Sequence, residues 1–204
     1  MFAEARTGWY GKLPTLGDFA SRRLAPELIE AWDAWLAGGI AQWREEAPES
    51  WLQAYLDGPS WRFVLMPGVL PGVLQPLTGV LMPSVDRVGR YFPMTLMRPL
   101  LNGAPPGSAA HLSWLHRLDD LALDAMQEDW DITQMETELQ RLDEDVPAAT
   151  EEAAPLLPPL QAGQSFWWRI GDEGRRLDHL SSGLPQGTEF VALLSGQLGS
   201  PPSI

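Results

Sequence analysis

Charge stands inside apolar sequence at two places in this 204-residue chain. The first is GKLPTLGDF, residues 11–19, which holds Asp18 and Lys12, the only lysine of the protein. The second is GVLMPSVDRVGRYFP, residues 79–93, where Ser84, Asp86, Arg87 and Arg90 lie in a connection between two apolar runs. A connection needs only polar turn residues, and side chains of such hydrogen-bonding capacity exceed that need. Gly89 permits a left-handed backbone there, and Asp86 can accept local amides and pair with Arg87 or Arg90. The i, i+4 placement of Asp86 and Arg90 across Gly89 points to an internal brace of the loop. Two readings stay open. In the plainer one, Lys12 faces solvent, Asp18 lies near the start of the first helix, and one Asp–Arg pair pins the second loop. In the other, the two loops meet at one end of a sheet and build a polar site from Lys12, Asp18, Ser84, Asp86, Arg87 and Arg90.

Catalytic patterns fit that cluster poorly. GKLP lacks the upstream glycine of a phosphate-binding P-loop, and leucine follows the lysine. Ser84 has no histidine near it in sequence and no glycine-flanked elbow. No two carboxylates are set apart for acid–base work. An anion site using Lys12, Arg87 and Arg90 stays open. A small-anion or nucleotide sensor, or a hydrolase-like enzyme, is therefore the alternative to a binding protein. The chain has no cysteine, which excludes disulfides, thiolate metal ligands and a thiol nucleophile. His111, His116 and His179 are scattered, and the first two miss the i, i+4 spacing of a helical metal pair. No cofactor is expected.

The net charge of −13 argues against nucleic acid, whose backbone demands cations. Residues 119–152 carry −12 of it, leaving the rest of the chain almost neutral. Such a segment is either a solvated helix face with a linker or a docking face for a basic partner. The N-terminal residues lack a basic region followed by a long apolar run, so no signal peptide is expected. No apolar stretch approaches membrane-spanning length, which predicts a cytoplasmic protein without membrane insertion.

The elements that must position the two loops are legible in outline. Residues 7–13, 60–68, 77–84 and 90–97 read as strands, with Pro93 marking an edge or a bulge. Residues 24–43 are the clearest helix, with Trp32, Leu36 and Ile40 among its apolar positions and Gly38–Gly39 weakening its end. A shorter helix covers 49–58. Helices over 107–129, capped by Ser108, and 131–145, capped by Asp131, form the acidic helical region 107–145. Residues 146–164, rich in proline and alanine, read as a linker, and 165–171 and 189–196 as returning strands within 165–196. In SFWWRIG, Trp167 must face away from Phe166 and Trp168. Strands arriving in runs and helices in pairs predict an α+β class: one domain over 1–204 whose mainly antiparallel or mixed central sheet is flanked by helices. Ten tryptophans supply large core anchors.

The runs GWYGKLPTLGDFASRRL, WDAWL, WLQAYLDGPSWRFVL and GVLMPSVDRVGRYFPMTL resemble the bacterial TagF (ImpM) family of type VI secretion-associated proteins. The match covers 8–97, the motif core, and is looser over the late strands. Its motif residues fall here on Lys12, Pro14, Gly17, Asp18, Phe19, Trp61, Arg62, Phe63, Ser84, Asp86, Gly89, Arg90 and Pro93. The resemblance implies an accessory cytoplasmic regulator that restrains secretion after translation by protein–protein binding. The implied partner is a forkhead-associated-domain scaffold or another type VI secretion component. It implies no enzymatic activity and no catalytic residue. Some relatives carry a fused phosphatase domain; residues 98–204 resemble none, so the stand-alone form is implied.

Overall fold

The computed structural model describes residues 6–100, 106–145, 157–171 and 174–198. Strands β1 (Gly8–Gly11), β2 (Ala20–Arg22), β3 (Trp61–Leu65), β4 (Leu77–Met82), β5 (Met94–Pro99), β6 (Gln164–Ile170) and β7 (Arg176–Ser182) form one sheet in the order β2-β1-β5-β4-β3-β6-β7. Every neighbouring pair is antiparallel. The fold is α+β, and the four early strands expected from sequence share that sheet. Helices α1 (Pro26–Glu46), α2 (Trp51–Leu56) and α5 (Thr188–Leu194) cover one face, and α3 (Ala109–Gln127) and α4 (Ile132–Glu144) cover the other.

Alternation along each strand feeds both layers. On β6, Trp167 joins the core under α1, while Phe166 and Trp168 join the core under α3 and α4. Trp32 on α1 sits 4.7 Å from Trp35, 5.5 Å from Phe63 and 6.4 Å from Trp167, ring centre to ring centre. Its indole N–H donates to Thr95 Oγ1 at 2.8 Å, which satisfies its one polar atom inside the core. Gly38 and Gly39 do not end α1. A side chain at Gly39 would lie 2.5 Å from the Phe190 ring, so the glycine is what lets α5 close onto α1.

Two expectations need correcting. Residues 189–196 are not a strand: Phe190, Leu193 and Leu194 bury one face of α5, at the i, i+3, i+4 spacing of a helix. The second returning strand is β7, earlier in the chain. Pro93 marks neither an edge nor a bulge, because it precedes β5 and β5 lies inside the sheet between β1 and β4. Its missing N–H is therefore never asked of the ladder. Most of the expected linker, residues 146–156, lies outside the described residues, as does the acidic segment beyond residue 145.

Acids of the helical region are structural anchors as much as surface. Asp143 accepts the Thr7 amide at 2.7 Å and the Thr7 hydroxyl at 2.6 Å, and pairs with Arg98 at 3.4 Å. Glu136 accepts the Trp9 indole at 2.7 Å and pairs with Arg23. Asp119 receives Arg62 at 2.8 Å and the Ser60 hydroxyl. These bonds tie α3 and α4 to β1, β3 and β5. Asp120, Asp124, Glu128, Asp129, Asp131, Glu144 and Asp145 stay exposed.

His111, in the first turn of α3, is buried. Its Nδ1 accepts the Gly107 amide at 3.0 Å, which leaves Nε2 to donate to Thr78 Oγ1 at 2.9 Å. Burial, and then the nearby Arg98 charge, push its pKa down to about 4.

Two outcomes follow. Trp32→Ala should lose about 3–5 kcal/mol in equilibrium chemical denaturation, because a side chain only 1% exposed leaves a cavity; a loss under about 1 kcal/mol would contradict the packing. For His111, the unfolded chain binds the proton near pH 6.5 and the folded chain only near 4. Its stabilisation is thus complete above pH 6.5 and falls away on acidification towards 4, by up to about 3 kcal/mol. Denaturation curves of the wild type should steepen in that window relative to His111→Gln, and identical pH slopes would refute the assignment.

Candidate functional site

The site begins with a close backbone approach. Gly11 ends β1 at φ +136°, and a Cβ there would lie 2.3 Å from the Pro93 carbonyl oxygen. Only glycine lets the two chains come so near. The chain leaving β1 is thereby set against residues 83–93. That connection folds back on itself through a Val85–Tyr91 bridge. The Gly89 amide donates to Asp86 O at 2.9 Å, and the Asp86 amide to Arg90 O at 3.0 Å. Gly89 takes the left-handed conformation, φ +80°, that this tight return demands.

At the centre lies a buried ion pair. Lys12 is 2% exposed, and its Nζ donates to Asp86 Oδ2 at 2.6 Å. Arg90 Nε donates to the same oxygen at 2.7 Å. The other oxygen, Oδ1, accepts the Val88 amide at 3.0 Å and the Arg90 amide at 2.9 Å. Burial by itself pushes the Asp86 carboxyl up, but these bonds from Lys12, Arg90 and Val88 outweigh it and hold the group well below the usual carboxylate range. The Phe19 ring covers Lys12, with Nζ 4.3 Å from the ring centre. That ring stacks on Tyr10 and meets Phe92 edge-on.

Ser84 completes the join. Its hydroxyl donates to the Lys12 carbonyl at 2.6 Å, and its backbone is gripped from below by Tyr55. The Tyr55 phenol accepts the Ser84 amide and donates to the Ser84 carbonyl, both at 2.9 Å. The two loops are also stitched along their length. The Arg87 amide donates to Leu16 O at 3.2 Å, and the Arg90 guanidinium donates to Gly17 O.

Of the six residues read from sequence as one polar cluster, Lys12, Ser84, Asp86 and Arg90 thus meet in direct contact. Asp18 stands at the rim, 85% exposed and 3.9 Å from Arg90. Arg87 contributes its backbone amide, and its side chain points to solvent. Tyr55 and Phe19 hold the cluster as much as any charged residue does. Nothing in the local sequence distinguishes the Tyr55 hydroxyl from an ordinary aromatic on an apolar helix face.

The arrangement constrains its own chemistry. A carboxylate offers about four acceptor positions, and Asp86 fills them with two amides, an ammonium and a guanidinium. The Ser84 proton is committed to a carbonyl, so no neighbouring base receives it. No group of His, Cys, Asp or Glu among the described residues has the geometry to hold a metal ion. No helix among them is long and apolar enough to cross a membrane. On the outward side of the two loops, Asp18, Phe19, Arg87 and Val88 are exposed.

Residues 8–142 match the family model for the TagF N-terminal domain, type VI secretion system-associated. No curated protein matches the chain. Among solved structures, the crystal structure of PA0076 from Pseudomonas aeruginosa PAO1 is similar. It superposes with a TM-score of 0.71 at 32% sequence identity, over 97% of this chain and 96% of that one.

If the Lys12–Asp86 pair braces the loops, removing one partner should harm the protein more than removing both, since a lone buried charge is what costs most. Asp86→Asn should therefore lower the melting temperature, and Lys12→Met added to it should recover part of the loss. Thermal denaturation of the two single variants and the double variant checks this. An Asp86→Asn protein that melts like wild type would remove the brace and restore the reading of a poised, chemically active carboxylate.

Proposed function

Because this chain belongs to the TagF family of type VI secretion-associated proteins, we propose that it restrains secretion after translation by binding a component of the apparatus. The partner of this reading is a scaffold bearing a forkhead-associated domain, met in the cytoplasm, and the activity is non-enzymatic. The observation that carries the proposal is how the motif residues are used. Lys12, Ser84, Asp86 and Arg90 spend their hydrogen bonds on one another and on backbone, fixing the two loops as one body. A surface held rigid before contact loses little freedom on binding, which is what a recognition module needs. A small-anion sensor or hydrolase would instead require these donors and acceptors to be open to a ligand. The exposed acids of α3 and α4 add an electrostatic contribution to encounter with a basic surface.

The test is made in a bacterium that carries its type VI secretion genes. Deleting this chain should raise secretion without changing transcript levels, and the tagged chain should co-purify with the forkhead-associated-domain scaffold. Association with the purified scaffold should slow as salt rises beyond physiological strength, where the screening length drops below about 8 Å. Unchanged secretion on deletion would overturn the regulatory reading, and an on-rate insensitive to salt would remove the acidic helices from encounter.

A further inference from the structure

Outside the brace, the same two loops present an outward surface that the fold leaves exposed. Arg87 is exposed, and its guanidinium makes no hydrogen bond, ion pair or ring contact among the described residues. The chain has 27 acids against 14 lysines and arginines, so an exposed arginine has many carboxylates to find. The Arg87 backbone is pinned to Leu16 O on one side, and its turn is locked by Asp86 on the other. Val88 is 62% exposed at the tip of that turn, and Phe19, over Lys12 on the facing segment, is 43% exposed. Gly17 is exposed as well, and its carbonyl accepts Arg90. Its φ is ordinary, and a Cβ there would meet nothing within 4 Å. Neither conformation nor internal packing asks for glycine at that point, so what its bare backbone offers is close approach from outside. The bonds from Arg87 N to Leu16 O and from Arg90 to Gly17 O set these residues side by side on one surface.

We infer that Gly17, Phe19, Arg87 and Val88 form a docking surface for an extended segment of another protein that carries an anionic side chain next to an apolar one. The anion pairs with Arg87, the apolar side chain rests on Val88 and the open part of the Phe19 ring, and the segment's backbone crosses Gly17. Asp18, exposed beside Arg90, repels the anion from that end and leaves Arg87 as its position. The choice of partner chemistry is one of charge complementarity: the unsatisfied charge on this rigid surface is positive, in a protein whose net charge is −13. The inference rests on the binding role proposed above and names the surface and the chemistry that serve it. The anion is a carboxylate, because Arg87 offers one positive charge and the exposed Asp18 on the facing segment would repel the second charge of a phosphorylated side chain.

The whole chain, labelled with ¹⁵N, is titrated with a short acetylated peptide of sequence Ala-Val-Glu-Leu-Ala, with the same peptide carrying phosphothreonine or lysine in place of glutamate, and with inorganic phosphate alone. The expected result is saturable shifts of the Gly17, Phe19, Val88 and Gly89 amides with the glutamate peptide, tighter than with the phosphothreonine peptide; the reverse order would overturn the choice of a carboxylate. Arg87→Glu should weaken that binding by about tenfold or more while leaving the melting temperature unchanged. Equal binding of the lysine peptide, shifts centred elsewhere, no saturable binding of any peptide, or saturation of the same amides by inorganic phosphate alone would each overturn the proposal. A secretion assay keeps the two levels apart. If Arg87→Glu loses peptide binding yet still restrains secretion, this surface is refuted and the regulatory role stands on another. If deletion of the chain leaves secretion unchanged, the regulatory role itself fails.

Discussion

An ammonium and a carboxylate stripped of water at the end of the sheet govern how this protein is put together. Burying either ion alone would be prohibitive, so each needs the other within hydrogen-bond reach and the carboxylate needs its remaining lone pairs filled. Lys12 and Asp86 meet that condition at 2.6 Å, with Arg90 and two amides completing the shell. The requirement propagates outward. Gly11 must lack a side chain so that β1 can deliver Lys12, and Gly89 must turn left-handed so that Arg90 returns to Asp86. Phe19 must fold over the ammonium, and Tyr55 must hold Ser84 from the helical layer beneath. The interlock leaves a surface loop with little of a loop's usual freedom.

The same logic of inward-facing charge fastens the second helical layer. Glu136, Asp143 and Asp119 each reach from α3 or α4 to a strand, and each finds a donor there that would otherwise be poorly satisfied: the Trp9 indole, the Thr7 amide and the Arg62 guanidinium. Burial alone would push Glu136 up, yet the bonds from Arg23 and Trp9 hold it below its ordinary value. The opposite layer relies less on charge, the Tyr10 phenol of β1 donating to Asp33 of α1. There the aromatic rings of Trp32, Trp35, Phe63, Trp167 and Phe190 supply the contact, with indole N–H groups capped by Thr95 and by backbone carbonyls. One sheet thus carries an oily layer and a bolted layer, and the loops of the candidate site touch both, Tyr55 from one and Met126 from the other.

Features fixed by neighbours in sequence could be read before the structure. The Asp86–Arg90 brace is an i, i+4 relation across a glycine, and the opposed faces of Trp167 and Trp168 follow from strand alternation alone. Features fixed by distant partners could not. A lysine in a turn reads as solvent-facing, and what buries Lys12 is an aspartate 74 positions away. The inward acids of α3 and α4 look like any solvated face until Thr7, Trp9 and Arg62 are placed opposite them. The apolar run of α5 fits a buried strand as well as a short helix; only its packing against Gly39 decides, and edge strand β7, half polar, gives little signal of its own.

Sheet order has a consequence for the way the chain comes into being. The strand made first, β1, has its inner neighbour in β5, and β3 waits for β6, synthesised about a hundred residues later. A nascent chain emerging from the ribosome therefore carries Lys12 without Asp86 until 74 further residues are made, and Trp9 without Glu136 until 127 are made; the pairings of consecutive strands can form locally, while β1–β5 and β3–β6 wait for long-range closure. A lone ammonium is costly to bury, so Lys12 reaches its buried place only once Asp86 is there to receive it.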